Sequence, residues 1–143
     1  MSALAFHFNA PDRLSYVCRL LRKAVLADAQ LVVIADAAML ERVDAALWSF
    51  SAQDFVPHCV AGAPSHVLRA SPIVLAPSLA NVTHRDVVLN LGQGVPLGFE
   101  DFARVIEVVG LAEEDRVNAR QRWKYYASLG HTITQHDAGS KTP

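Results

Sequence analysis

Apolar positions along the chain fall into short blocks whose period changes from two to about 3.6 and back. In "ALAFHFN", Leu4, Phe6 and Phe8 alternate with Ala5 and His7, which predicts a first strand closed by Asn9 and Pro11. From Asp12 the set Leu14, Val17, Cys18, Leu21, Ala24 and Val25 follows the i, i+3, i+4, i+7 template, with Pro11 suited to the first helical position. "LVVIA", residues 31–35, is a β-branched run without polar alternation, as expected of a strand covered on both faces. Asp36 is placed to cap a second helix, whose stripe is Leu40, Val43, Ala46 and Leu47.

Further apolar runs, "PIVLAP" (72–77) and "DVVLNLG" (86–92), predict buried strands bounded by Pro and Gly, while "VIEVVG" (105–110) fits strand or helix, its β-branched richness favouring strand. The last helix begins near Ala112, carries Glu113, Glu114 and Asp115 in its first turn and basic residues later, and stops at Gly130. That polarity suits the helix dipole, and the glycine suits a C-terminal cap. Alternating strands and helices predict one three-layer α/β domain with a mostly parallel sheet over residues 1–135, leaving 136–143, "HDAGSKTP", as a frayed tail.

Composition narrows the chemistry. The 143 residues suffice for one substantial core, and a 52% hydrophobic, 19% charged chain of formal net charge -1 is neither a disordered tail nor a globally basic nucleic-acid binder. Charge-driven recognition must therefore be local. Cys18 and Cys59 lack the close pairing of a zinc knuckle or a redox CxxC and read as free thiols of a reducing cytoplasm. The first residues show no signal-peptide pattern and no apolar run reaches membrane-spanning length, so a soluble cytoplasmic protein without membrane contact is expected.

The catalytic devices of α/β enzymes are hard to find. "NAPDR" after the first strand has no glycine for a pyrophosphate, and no GxxxxGK[ST] occurs. The six histidines include no metal-binding HxH, HxxxH or HExxH pair, so no metal and no cofactor is expected. His58 and Cys59 adjoin, but neighbours on an extended segment project in opposite directions, leaving a surface His beside a packed Cys. Glu41 and Asp44 read as the charged face of a helix. What remains for an enzyme is a nucleotide-dependent reading with a divergent phosphate site at Gly92, Gly94 and Gly98, where a turn between strands is the simpler account.

Two stretches are richer than a bland domain requires. In residues 43–64, Trp48, Phe55, Val56 and Pro57 gather around a helix end and the segment after it, a composition that serves either a core rim or a protein-binding hot spot. In "ARQRWKYYASLG" (119–130), Arg120 and Lys124 continue a row begun by Arg116 at i, i+4, i+8, with Trp123 beside them. Cations flanking an aromatic suit a short acidic peptide, Val109 could wall its pocket, and a solvated face over a buried aromatic is the plain alternative. Tyr126, Ala127 and Leu129 are expected to pack toward the sheet. Arg19, Arg22 and Lys23 share a face of the first helix and read as solvated, with secondary electrostatic steering rather than direct DNA binding.

"VDAALW" with Phe55 of "FVPH" seven positions after Trp48, the following "AG", the strand "PIVLAP" and the terminal "RQRWKYYASLG" together resemble the chi subunit family of the bacterial DNA polymerase III holoenzyme, over nearly the whole chain. The departures are Trp123, where a tyrosine is usual, and the extreme C-terminus. The resemblance implies a Rossmann-like α/β subunit of the DNA-directed DNA polymerase complex without catalysis of its own. It implies two partners: the psi subunit of the clamp loader, or a competing helicase, at Trp48, Phe55, Val56 and Pro57; and the tail of single-stranded DNA-binding protein, aspartates followed by Ile, Pro and a terminal Phe. That tail would meet Val109, Arg116, Arg120, Trp123 and Lys124, and DNA would be reached indirectly.

Overall fold

The computed structural model describes residues 2–49, 57–80, 82 and 84–139. Strand β1 (Ala3–Ala10) leads into helix α1 (Arg13–Leu26), then β2 (Leu31–Ile34) and α2 (Ala37–Ser49). β3 (His58–Val60), the short α3 (Ser65–Ala70), β4 (Ile73–Ala76) and β5 (Val87–Asn90) follow. A 3-10 turn at Phe99–Asp101 precedes β6 (Arg104–Gly110), α4 (Glu113–Ser128) and β7 (Ile133–Asp137).

The seven strands form one all-parallel sheet in the order β3-β4-β2-β5-β6-β1-β7. Parallel strands are covered on both faces, which is why β2, β4 and β5 read as unbroken apolar runs. The period of two survives as a division between two cores. Leu31, Val33, Leu75 and Leu89 pack under α1 and α2 against Val17, Leu21, Leu40 and Val43. Val32, Ile34, Val74 and Val88 face the other side, where Phe6 and Phe99 pack with Ala119 and Tyr126 of α4.

Helix ends follow local chemistry. Asp12, not Pro11, opens α1: its carboxylate accepts the Ser15 N–H at 3.1 Å, and Pro11 stands one residue outside. Asp36 caps α2 in the same way through the Met39 N–H at 2.8 Å. α4 ends on Gly130 at φ +87°, with Gly130 N–H on the Ala127 carbonyl and His131 N–H on that of Tyr126, the paired bonds of a Schellman cap.

Three elements depart from the pattern reading. β3 and α3 are too short to show a period. β7 runs in register with Leu4–Phe8 as far as Asp137, so the fold continues two residues into the segment expected to fray. Ala127 and Leu129 are exposed, and of the trio expected to pack inward only Tyr126 is buried. An α-helix buries one stripe, and Ala119, Arg122 and Tyr126 occupy it here.

Candidate functional site

Between α4 and the strands β1, β6 and β7 opens a cleft of about 400 Å³. Phe6, Phe8 and Asn9 come from β1, Val109 from β6, Arg116, Ala119, Arg120 and Trp123 from α4, and Gln135 from β7. The register of β1 on β6 slips between His7 and Ala10, and Asn9 takes a left-handed φ of 61°, a conformation Asn adopts more readily than most residues. Arg116 Nη2 donates to Asn9 Oδ1 at 3.1 Å and ties that irregularity to the helix.

Inside, the cleft is apolar. Val109 is 4% exposed, and the half-buried Trp123 ring sits 5.0 Å from that of Phe6, inclined at 53°. Trp123 is thus a boundary residue that packs on the core while lining the cleft. At the mouth stand Arg116 and Arg120. Arg120 Nη2 reaches Glu113 Oε1 at 3.0 Å, both side chains being more than half exposed, so the pair is of the weak, screened kind that a better carboxylate displaces.

Four of the five residues expected to meet an acidic peptide, Val109, Arg116, Arg120 and Trp123, therefore border one cavity. Lys124 is exposed but outside the lining. Phe6, Phe8, Asn9, Ala119 and Gln135 were not anticipated. The Phe6/Phe8 alternation was visible, but that these side chains would face α4 depends on β1 pairing with strands about a hundred residues away.

Behind the cleft lies a polar latch. Glu107, midway along β6 and fully buried, accepts Arg122 Nε at 2.9 Å on one oxygen and Asn90 Nδ2 at 2.9 Å and the Tyr126 hydroxyl at 2.7 Å on the other. Arg122 Nη1 also donates to the Gln93 carbonyl at 2.9 Å. Burial pushes the Glu107 carboxyl above the ordinary carboxylate range, while the Arg122 charge and the three donors pull it back. Burial and the adjacent carboxylate raise the Tyr126 phenol, which stays a proton donor. The cations Arg120, Arg122 and Lys124, close in sequence, are thereby divided: Arg122 turns inward to Glu107 while the other two face solvent. The signal for this was one acid inside "VIEVVG".

The crevice at the carboxyl ends of the central strands, where α/β enzymes bind cofactors, is narrow. Arg13 reaches into it, donating to the Leu91 carbonyl at 2.7 Å and the Val108 carbonyl at 3.2 Å, with Asp115 at 3.8 Å. About 90 Å³ remains, against several hundred for an ordinary ligand pocket. In the glycine loop, the Gly92 N–H already bonds Asn90 Oδ1 at 2.9 Å, and Asn90 Nδ2 holds the Gly94 carbonyl at 3.0 Å. Gly98 leads into a three-residue 3-10 turn, not a helix with a free N-terminus. Among the described residues no group of three or more His, Cys, Asp or Glu is placed to hold a metal ion, and no helix is long and apolar enough to cross a membrane.

The second stretch lies at the opposite end of the sheet. Trp48 follows the buried Leu47 at the end of α2, and a helical step of about 100° turns its ring outward, 61% exposed. Its ring lies 5.1 Å from that of His58. The His58 side chain is nearly buried, not a surface group, and its Nε2 is 2.8 Å from Asp44 Oδ1. Asp44 thus has a partner that helix-face reasoning did not supply. Cys59, the next residue, points into the core as alternation requires. Pro57 is half-buried, and Phe55 and Val56 lie outside the described residues.

Comparison with known proteins adds a family. The model of the family "DNA polymerase III chi subunit, HolC" matches residues 1–134. The DNA polymerase III subunit chi of Pseudomonas aeruginosa is 31% identical over 125 residues, covering 87% of this chain and 85% of that protein. The subunit chi of Escherichia coli is 28% identical over 104 residues, 72% and 69% of the two chains. That of Haemophilus influenzae is 27% identical over 98 residues, 68% and 67%.

Proposed function

Since the chain belongs to the DNA polymerase III chi subunit family, a replication subunit of the polymerase assembly, we propose that it works as a non-catalytic cytoplasmic adaptor that grips the acidic C-terminal tail of single-stranded DNA-binding protein in the α4 cleft. A second contact, at Trp48, Pro57 and the intervening Phe55 and Val56, joins it to the psi subunit of the clamp loader or to a helicase competing for the same surface. The observation that carries this reading is the cleft itself: an apolar floor of Phe6, Val109 and Trp123 beneath two arginines.

Such a tail presents carboxylates followed by a terminal ring, and the cleft has a group for each. Arg120, released from Glu113, forks a carboxylate, and Arg116 adds charge while held by Asn9. The terminal ring goes against Phe6 and Trp123, gaining aromatic contact as well as burial. Binding of this kind weakens with salt, because charges at the mouth are screened over about 8 Å at physiological ionic strength.

Calorimetric titration of the whole chain with a synthetic tail peptide tests it. Arg120→Ala is expected to weaken binding about tenfold, the worth of one hydrogen bond to a charged group, with the thermal midpoint unchanged because the residue is exposed. Equal affinity for wild type and variant would remove the tail from this cleft.

A further inference from the structure

β7 is the last strand of the sheet, with β1 on one side and an open edge on the other. In a parallel pair, alternate residues turn both backbone groups toward the partner strand, and the residues between turn both away. The Ala138 N–H donates to the Phe8 carbonyl, so the register Leu4↔Ile133, Phe6↔Gln135 and Phe8↔Asp137 directs the backbone groups of Thr134 and His136 to β1. Those of Ile133, Gln135 and Asp137 therefore point off the sheet. The Ala3 N–H, on the Ala103 carbonyl, gives the same parity from the β6 side of β1.

Such an edge is a template for an extended chain unless it is blunted, and β7 has neither proline nor lysine, with four of its five residues exposed. The surroundings choose the chain. Gln135 lines the α4 cleft, so the edge is continuous with the apolar floor and the two arginines of its mouth. α4 runs against the strands: Arg116 meets Asn9 near the end of β1, whereas Trp123 meets Phe6 in its middle, at the level of Gln135. A peptide with carboxylates at Arg116 and Arg120 and a later ring at Trp123 therefore travels opposite to β7. Asp137 sets the register, because its charge disfavours a ligand carboxylate opposite it even with Oδ1 on the Gly139 N–H at 2.9 Å. Gln135 is left as the pairing residue.

We propose that the open edge of β7 takes the backbone of the acidic tail as an antiparallel eighth strand, Gln135 exchanging both of its backbone hydrogen bonds with one ligand residue while the terminal ring turns into the α4 cleft. The inference rests on the tail reading above and adds main-chain recognition to it. The division of labour is that of strand addition: backbone bonds hold any extended peptide, and the arginines and the apolar floor select carboxylates and a ring.

Amide exchange of the whole chain, read by NMR with and without saturating synthetic tail peptide, tests the edge, with calorimetry run in parallel. The Gln135 amide is expected to exchange freely in the protein alone and to gain at least about tenfold protection with peptide, while the Thr134 and His136 amides are protected in both. Gln135→Pro deletes an outward donor, which an edge strand tolerates, and should weaken the tail about fivefold, the worth of one neutral hydrogen bond. Gln135→Ala keeps that donor and should bind within about twofold of wild type. Continued protection of Thr134 and His136 in the proline variant shows that β7 is still paired. Tail peptides N-methylated at one residue at a time leave the protein untouched and should lose affinity at alternate residues. A Gln135 amide already protected without peptide, equal binding by Gln135→Pro and wild type, or an N-methyl series without alternation overturns the proposal. Protection that grows with protein concentration alone also overturns it, in favour of a second copy of the chain on the edge. Where these results coincide with a tail weakened by Arg120→Ala, the cleft reading stands without the edge; a tail that fails to bind, or ignores Arg120→Ala, removes both.

Discussion

The two ends of the sheet are built for different kinds of contact. At the β1–β7 end, residues from four elements enclose a cavity whose floor is apolar and whose mouth is cationic. At the β3 end, some 24 Å away at ordinary strand spacing, an exposed indole rests on a buried imidazole. The first arrangement favours reversible capture of a charged, extended ligand, tunable by salt. The second favours burial of a large apolar surface, which salt barely affects. On the reading proposed above, a single domain with both would hold its two partners at once.

The largest test of that contrast goes to the latch behind the cleft. Arg122→Ala would leave the Glu107 carboxyl buried without its cation, a change that costs about 3–5 kcal/mol in comparable cases, and urea denaturation should show it. Replacing both partners, Glu107→Leu with Arg122→Met, should recover most of the loss; if it does not, the latch has a role beyond pairing its own charges.

Next in size is Trp48→Ala. Removal of an exposed indole from a hot spot is expected to weaken the psi or helicase contact by about 2 kcal/mol or more, with tail binding unchanged in calorimetry. If one substitution at either end weakened both partners, the two regions would not be independent.

A smaller effect separates the ends by pH. Burial first, then the charges of His136 and Arg104, lower the His7 pKa from 6.5 to about 4. A histidine depressed in the folded state contributes stability that is present above pH 6.5 and is lost as the pH falls toward 4. Acid in that window should therefore loosen the β1–β7 end, read as lower protection of the β7 amides relative to their intrinsic exchange rate at each pH. A His7→Gln variant should lack this component.

The smallest expected change is at Lys124. Exposed and outside the cleft lining, it should contribute only the few tenths of a kcal/mol typical of rim charges, so Lys124→Ala should reduce tail affinity less than threefold and only at low salt. A loss equal to that of Arg120→Ala would mean that the ligand extends a further turn along α4.

Much of the fold was legible because its signals are local. The Asp36 cap, the β-branched runs of β2, β4 and β5 and the Gly130 stop each depend on a few neighbouring residues. The row Arg116, Arg120 and Lys124 was legible for the same reason, since helical period alone puts them on one side. β7 was not, because a mostly exposed strand of five polar-rich residues gains its stability from β1, far away in sequence. Nor was the latch: no local rule pairs Glu107 with Arg122, and only the meeting of β6 with α4 makes the inward guanidinium cheaper than an outward one.

Local sequence, then, determined the longer helices and the apolar strands, the class of fold, and which side chains could carry charge or aromatic surface to a partner. The tertiary structure decided how those side chains are divided. It turned Arg122 in and left Arg120 out, set Trp123 at the edge of a cavity, sealed the central crevice with Arg13 and exposed Trp48 beside His58. The reason is physical: propensity and period act over one turn or one strand, whereas a cavity, a buried charge pair or a plugged crevice exists only where distant strands are brought into register.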